Sequence, residues 1–565
     1  MSTRAESRPR VLLVHANPFQ QVMPVPPYGL ERIRTAAADT GAEIEIVDPY
    51  LVSDRPLEAA AEAARRLRPA VVGLGVRVVE DCIVVDDSGG ADDRPFDLVW
   101  FMPELLRLRR AIAEAAPDAL FLLGGAAFSA MPRECLDYLD VEHGVVGAGE
   151  LAFREVLERV AAGSQLDGIP GLVRRGEPDP LASYGLAMNG LTLREPLYAP
   201  VNSIPVRTRV GCAMECVYCL TANLRRKHLT GDVDAVAGEI EAVVESAGAR
   251  GIRSVPIFFA DDEFNLPDER YCIALLGALE DRELAPKLRW RGYFNPTPFS
   301  DELAALIART NGHASITVDS AAEAVIARAQ KPFRRRHLDA LIETLTRHGV
   351  SADVGLIFGL PGETDETLAE TIAFVRSLPP EIEVGYSAGA RVYPNTPLAA
   401  IAAAEPQWVV GDGDPTFFAP TAYSSPLPPR ELARELGRAF AGLDHVRPAG
   451  VGFGSGRTTM AEAYRAVLGD RGSETWKTAL AHAERPGDYQ RGTADSLAAL
   501  AQVAIWNRRF DLAGAAYRRL ARQPELPEGV SRGGLRVARL GCSAIALTGR
   551  LNRRRRVRTP EPAGS

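Results

Sequence analysis

The chain has 565 residues, too many for one hydrophobic core, so two to four domains are expected. With 46% hydrophobic and 24% charged residues it has the composition of a soluble globular protein, and a net charge of -8 argues against a nucleic-acid partner. No apolar run approaches the ~18–20 residues of a membrane span, and the polar start MSTRAESRPR lacks the apolar centre of a signal peptide, so no membrane partner and a cytoplasmic location are expected.

Residues 1–9 read as a disordered tail, and 10–160 as alternating strand and helix. RVLLVHANP (10–18) is an apolar run of strand length, and GLERIRTAAADTG (29–41) puts Leu30, Ile33 and Ala37 on one helical face with Gly41 as a stop. A strand at 42–50, a helix at 56–68, the strand PAVVGLGVR (69–77), a polar loop at 86–97, a helix at 101–115 and the strand ALFLLGGAAFS (119–129) follow, and VEHGVVGAGE (141–150) closes the series. Apolar strands separated by amphipathic helices predict an α/β, doubly wound parallel sheet, Rossmann-like in its layers. No G-x-G-x-x-G follows the first strand, so the dinucleotide fingerprint is missing. Gly124, Gly125 and Ser129 at one strand end, and Gly147 and Glu150 at the next, stand where a backbone passes close to a ligand or makes a tight turn.

Residues 161–200 read as a linker with a small hairpin. A second αβ series runs over 201–405, with strands at 254–260, 288–294, 313–319, 351–359 and 383–393 and a helix at 232–247. Six or so βα units predict a partial TIM-like (β/α)6 barrel with chemistry at the carboxyl ends of its strands. Tyr386, Arg391 and Tyr393 fall on the last predicted strand, where they touch substrate or pack the core or the barrel mouth; alternation puts 391 and 393 on one face. Residues 406–548 read as a mainly helical domain with one tetratricopeptide-like hairpin at 496–522, and 549–565 as a basic, disordered end.

Three of the seven cysteines, Cys212, Cys216 and Cys219, lie in GCAMECVYC. A structural zinc site takes four ligands, usually in two pairs, and no second pair is present; the nearest histidine, His228, stands alone. A four-iron cluster held by three thiolates keeps one iron open, as a catalytic metal keeps an open position. The other cysteines, 82, 135, 272 and 542, are scattered and read as small buried hydrophobes.

C-x3-C-x2-C with Tyr218 just before the last cysteine, directly after PVRTRVG (205–211), resembles the signature of radical S-adenosylmethionine enzymes. In that family the open iron chelates the amino and carboxylate groups of S-adenosylmethionine. FFADDEFN (258–265) resembles the family's second strand and acidic turn; Asp319 and Ser320 in ITVDSAAEAVIARAQK (316–331) resemble the polar pair that reaches the ribose or methionine end. Gly359 in VGLIFGLPGET (354–364) is similar to the loop near the adenine, and ARVYPNTPL (390–398) to a late strand of the cobalamin-using branch. The Gly-Gly-Glu run often found after the second strand is replaced by ADDEFN. Asp261, Asp262 and Glu263 therefore become candidates for the methionine ammonium, and a carboxylate there stands where it could approach the open iron.

The first domain resembles the cobalamin-binding domain of these enzymes in PPYGLERI, GLGVR and GGAAFSAMP. The D-x-H-x-x-G motif of cobalamin mutases is absent, so no histidine is expected below cobalt; Arg77 is the candidate for that face, a cation that cannot coordinate the metal. The resemblance implies three cofactors: a [4Fe-4S] cluster, S-adenosylmethionine and cobalamin. It implies methyl transfer by way of methylcobalamin to an unactivated carbon of a small natural-product precursor or amino acid. The similarity extends to the actinobacterial tryptophan 2-C-methyltransferases, a group that does not rely on radical cleavage. A monomer served by a flavodoxin- or ferredoxin-like electron donor is implied as well. Competing readings are another radical reaction such as ring contraction, cyclisation or oxidation; P-methylation; and, in a different class, a non-catalytic iron–sulfur redox sensor.

Overall fold

A computed structural model describes residues 8–18, 26–81, 83–85, 96–177, 203–220, 229–249, 252–411, 413–448, 466–467, 472–483, 493–524, 526, 532–533, 535–540 and 542. Of the features singled out above, the tail at 1–7, Cys82, residues 86–95, 178–200, His228 and the basic end 549–565 lie outside them.

The first sheet contains β1 (Arg10–His15), β2 (Glu43–Val47), β3 (Val71–Gly75), β4 (Leu120–Gly124), β5 (His143–Val145) and β6 (Leu172–Arg174) in the order β2-β1-β3-β4-β5-β6. All neighbours are parallel except β6, which runs antiparallel to β5. Part of the expected linker is thus an edge strand of this sheet. Both faces are covered, which is why the strands read as unbroken apolar runs. Val11, Leu13, Val71 and Leu122 meet Leu30, Phe153 and Val156 of helices Tyr28–Ala36 and Glu150–Ala162. Leu12, Val14, Val72 and Leu123 meet Ala64, Leu105 and Leu136 of helices Pro56–Leu67, Met102–Ala115 and Pro132–Leu139. Gly41 (φ 73°) ends the first helical segment, and Asp48 caps the next by accepting from the Leu51 N–H. In this strand order the direction of winding reverses between β1 and β3, and ligands bind outside the carboxyl ends at that point.

The second sheet uses β7 (Ile204–Val206); a short antiparallel pair, β8 (Arg209–Val210) with β9 (Leu229–Thr230), follows it. Next come β10 (Val255–Phe259), β11 (Leu288–Phe294), β12 (Gly312–Asp319), β13 (Ser351–Phe358) and β14 (Ile382–Ala388). The predicted last strand at 383–393 is broken. Gly389 (φ 87°) turns the chain out of β14, and β15 (Ala390–Arg391) joins a separate antiparallel sheet with β16 (Val409–Gly411) and β17 (Thr421–Tyr423). The barrel sheet instead gains β18 (Val446–Pro448), giving the order β18-β14-β13-β12-β11-β10-β7, all parallel. Helices Val233–Gly248, Arg270–Asp281, Asp301–Arg309, Arg335–His348, Asp365–Ser377 and Pro429–Ala439 supply its outer layer. Asp232, Ser300 and Thr364 cap three of them through their side-chain oxygens. β11 shows the layer logic plainly: Leu288, Trp290, Gly292 and Phe294 are buried toward the helices, while Arg289, Arg291 and Tyr293 face the barrel interior.

Beyond the barrel the helices Thr493–Trp506 and Phe510–Leu520 form the expected hairpin, turning at Arg508 (φ 56°). The Trp476 indole, from helix Gly472–His482, donates to the Leu512 carbonyl (3.1 Å).

Candidate functional site at the barrel mouth

The cysteine loop leaves β8 inside a tightly held backbone. The Asp261 carboxylate accepts from the Thr208 N–H (2.9 Å), the Thr208 hydroxyl (2.6 Å) and the Arg209 N–H (2.8 Å). Asp261 is therefore a brace of the loop and not a cofactor contact. Burial raises its carboxyl to about 6 against those hydrogen bonds. The Val217 N–H donates to the Ala329 carbonyl (3.2 Å), and the Leu398 N–H donates to the Val217 carbonyl (2.9 Å). Cys212 and Cys216 are buried, Cys219 is half-buried, and Met214 and Leu266 pack on them. Burial pushes the Cys212 and Cys216 thiols up to about 12, so they become thiolates only where metal takes the charge. Cys135 and Cys272 are buried in helices elsewhere, Cys272 donating to the Phe264 carbonyl (2.6 Å). Cys212, Cys216 and Cys219 belong to one packed cluster, the number of thiolates that a four-iron cluster with one free iron would take, although among the described residues no three ligating side chains stand close enough together to hold a single metal ion.

Two polar groups border these cysteines. Tyr218 donates to Asp319 Oδ2 (2.5 Å), and Lys331 Nζ lies 2.9 Å from the same oxygen and 3.5 Å from the Tyr218 oxygen. Asp319 holds a left-handed backbone (φ 65°) at a break in the β12 register after Thr317, which turns its side chain toward them. Burial alone would lower the Lys331 pKa, but Asp319 and the other acidic neighbours raise it. Lys331 went unnoticed in the sequence, where it is one more helix-end lysine. Glu263 is the second group: it is buried, accepts from the Thr317 hydroxyl at Oε1 (2.5 Å), and its Oε2 has no hydrogen-bond partner among the described residues. Burial raises its carboxyl to about 8, against the pull of Lys331 and Thr317. Its charge also reaches Cys212 and Cys216.

Gly359 (φ 91°) ends β13 where a Cβ would lie 2.8 Å from the Ser424 Oγ and 3.2 Å from the Gly389 Cα, and its N–H donates to Glu363 Oε2. The paired Ser320 goes into the fold instead: its hydroxyl is buried, 3.0 Å from the Thr371 hydroxyl, and accepts from the Ala322 N–H (3.2 Å).

In the sheet domain the strand ends form a cradle of small residues. Gly125 (φ 105°) passes so close to β3 that a Cβ would sit 2.4 Å from the Val76 carbonyl oxygen. At Gly124 nothing comes nearer than 3.9 Å. Ser129 ties the two turns, donating to the Gly125 carbonyl (2.8 Å) and accepting from the Gly147 N–H (2.9 Å). A flat, bulky cofactor fits this surface at the carboxyl ends of the strands. Arg77 is exposed just past β3. Across from it is Tyr293, whose electrostatic neighbours include Arg77 and Glu263. Tyr293 is 42% exposed, and burial of its hydroxyl end raises its pKa. Phe258 packs on it edge-to-face at 5.7 Å.

Glu150, Arg391 and Tyr393 are placed differently from the expectation, and Tyr386 takes the core-packing alternative. Glu150 does not face a cofactor: Arg32 (3.1 Å) and Arg207 (2.9 Å) hold its carboxylate below the usual range despite burial. Tyr386 is buried against Phe358 and Phe440 in the barrel core. Arg391 is buried and donates to the carbonyls of Phe417 (3.0 Å) and Phe418 (2.8 Å), and its Nε lies 3.4 Å from Glu80. Tyr393 donates to the other Glu80 oxygen (2.5 Å) instead of facing substrate. Alternation along a strand misplaced Arg391 and Tyr393 because the strand ends at Ala388.

Residues 22–157 match the B12 binding domain, and residues 206–375 match the radical SAM superfamily. The chain is 24% identical over 457 residues to a tryptophan 2-C-methyltransferase from Streptomyces laurentii, covering 68% of this chain and 73% of that protein. It is 26% identical over 268 residues to an uncharacterized methyltransferase from Pyrococcus horikoshii, covering 45% and 56%. Among solved structures, the radical S-adenosylmethionine methyltransferase TsrM from Kitasatospora setae, with cobalamin and a [4Fe-4S] cluster bound, superposes with a TM-score of 0.68 at 21% identity over 91% of this chain and all of that one. The cobalamin-dependent S-adenosylmethionine radical enzyme OxsB gives 0.58 at 13% identity, covering 96% and 80%. These two likenesses show a shared fold. Among the described residues no helix is long and apolar enough to cross a membrane. A B12 binding domain followed by a radical SAM barrel with its three-cysteine loop makes this chain a cobalamin-dependent radical S-adenosylmethionine enzyme, with a [4Fe-4S] cluster, S-adenosylmethionine and cobalamin as cofactors.

Proposed function

We propose that the enzyme moves a methyl group from S-adenosylmethionine, by way of cobalamin, to a carbon of a small aromatic substrate, with C2 of tryptophan the first candidate. When bound, cobalamin supplies a nucleophile strong enough to take that methyl and a donor able to pass it on. The observation that carries the reading is that the sheet domain is held against the cysteine-bearing barrel, Glu150 to Arg207 at 2.9 Å, with Arg77 of the sheet domain and Glu263 beside the cysteines both among the charged neighbours of Tyr293 on β11. The relationship to a tryptophan 2-C-methyltransferase over 68% of the chain supports the substrate class.

In this reading Cys212, Cys216 and Cys219 hold the cluster. The Glu263 oxygen that has no hydrogen-bond partner among the described residues would serve the open iron or the methionine ammonium. Lys331 is the buried cation that offsets acidic charge there. Arg77 serves the lower face of cobalamin, and the Phe258–Tyr293 pair walls the substrate. A carboxylate near the open iron would compete there with S-adenosylmethionine and so would suit polar methyl transfer over radical cleavage. Anaerobic reconstitution with iron, sulfide and cobalamin, then methyl-labelled S-adenosylmethionine and tryptophan, should give a labelled product heavier by one methylene without matching 5′-deoxyadenosine. Glu263→Gln should retain iron and lose at least about 100-fold in turnover, as expected for a group that touches the reacting centre. A reconstituted enzyme that adds no methyl to any aromatic amino acid would overturn the reading.

A further inference from the structure

We propose that Glu80 and Glu150 are two positioning pins that set where the sheet domain's strand ends stand over the cysteine loop. The inference rests on the reading that cobalamin and cluster act on one substrate in the space between them.

The pins sit at opposite flanks of the barrel mouth. β7 is one edge of the barrel sheet, and β14 stands beside the other edge strand, β18. Directly after β7, Arg207 reaches Glu150 of the sheet domain (2.9 Å), which Arg32 holds from behind. The Tyr28 hydroxyl completes this pin by accepting from the Arg207 N–H and from Arg32 Nη1, each at 3.1 Å. Past the turn that ends β14, Arg391 and Tyr393 grip Glu80, which follows β3. The two carboxylate side chains are only 4% and 1% exposed.

Each pin continues into the cysteine loop. On one flank, the residues after Arg207 are Thr208 and Arg209, braced on Asp261 two positions before Glu263. On the other, Thr396 donates to the Tyr393 carbonyl (2.8 Å) and caps helix Pro397–Ala404, whose Leu398 N–H holds Val217 between Cys216 and Cys219. Buried ion pairs gain little stability over apolar packing. What they add is direction, because a displaced carboxylate leaves a buried arginine without its counter-charge. The apolar contacts across the same seam, such as Trp100 on Phe418 (6.0 Å), tolerate sliding; these pins do not.

The test uses Glu80→Gln, Glu150→Gln and the milder Tyr393→Phe, which keeps its ring over Arg391, in the fully loaded enzyme. Two quantities are read: the relaxation enhancement that a reduced cluster imparts to the cob(II)alamin spin signal, which reports their separation, and the single-turnover rate of labelled methyl transfer to cobalamin. We expect iron and cobalamin at wild-type stoichiometry, weaker relaxation enhancement in each variant, and transfer slower by on the order of 100-fold in the two Gln variants, as a misplacement near 1 Å produces. Substrate KM should move far less than kcat. Unchanged spin coupling and rate in all three variants, or a rate that falls only in step with lost cobalamin, overturns the pins. The spin measurement needs no turnover, so a loaded wild-type enzyme that transfers no methyl would count against the proposed function and leave this readout decisive.

Discussion

Glu263 and Glu363 are both buried carboxyls with one oxygen lacking a hydrogen-bond partner among the described residues, and their neighbours give them different uses. Glu263 lies among charges beside the cysteines; Glu363 meets the Gly359 N–H at the end of β13, away from them. Burial lifts the Glu363 carboxyl to about 7 from an ordinary 4.5. The folded state thus keeps a proton that the unfolded chain has released, so stability falls as pH rises from 4.5 through about 7, by up to roughly 3 kcal/mol. Glu363→Gln fixes the neutral form. Its unfolding midpoint should match wild type near pH 5 and exceed it at pH 8; an equal gap at both pH values would rule this out. Of the residues near the cluster, the cysteines and the acidic turn were legible, because spacing and residue type define them locally. Lys331 was not: its role depends on Asp319 adopting a left-handed backbone and on Tyr218 arriving from the distant cysteine loop.

Among the elements, strands with one consistent periodicity were legible, and strands that end at a glycine turn were not. β11 alternates cleanly because helices cover one side and the barrel interior the other. Residues 383–393 look like one strand, but Gly389 turns the chain and sends Arg391 and Tyr393 to the sheet domain. Gly125 is the opposite case, a glycine whose need could be suspected from sequence and whose reason is tertiary. Its backbone (φ 105°, ψ 175°) is a region essentially reserved for glycine, and a Cβ would collide with the Val76 carbonyl just past the neighbouring strand. Gly125→Ala should cost about 1–3 kcal/mol from backbone strain, with the collision adding to it, and should weaken cobalamin retention on gel filtration while leaving iron content intact. Retained cobalamin at wild-type affinity would show that the turn is not part of the cradle.

On the scale of the whole molecule, the sheet domain closes the barrel mouth through charge pairs of unequal burial. Arg430 and Asp97 form a third, more exposed contact (2.6 Å). Removing one partner of a buried pair leaves the other charge desolvated, so Glu150→Ala, which strands Arg32 and Arg207, should destabilise the enzyme by roughly 3–5 kcal/mol. Arg154→Ala, which removes exposed pairs to Asp39 and Glu158, should leave the denaturation midpoint unchanged. Equal effects of the two substitutions in urea titrations would refute the distinction.

Local chemistry was written in the chain itself: three cysteines at C-x3-C-x2-C, an acidic turn after β10, glycines at strand ends, and two αβ series in order. Those features depend on spacing and residue type within a few positions, which a sequence displays directly. The pairings that assemble the site were decided only by the tertiary structure. Glu150 found Arg207 and Glu80 found Tyr393 because the segments that follow β7 and β14 meet residues of the sheet domain. No local period encodes which charge will be buried against which across such a distance.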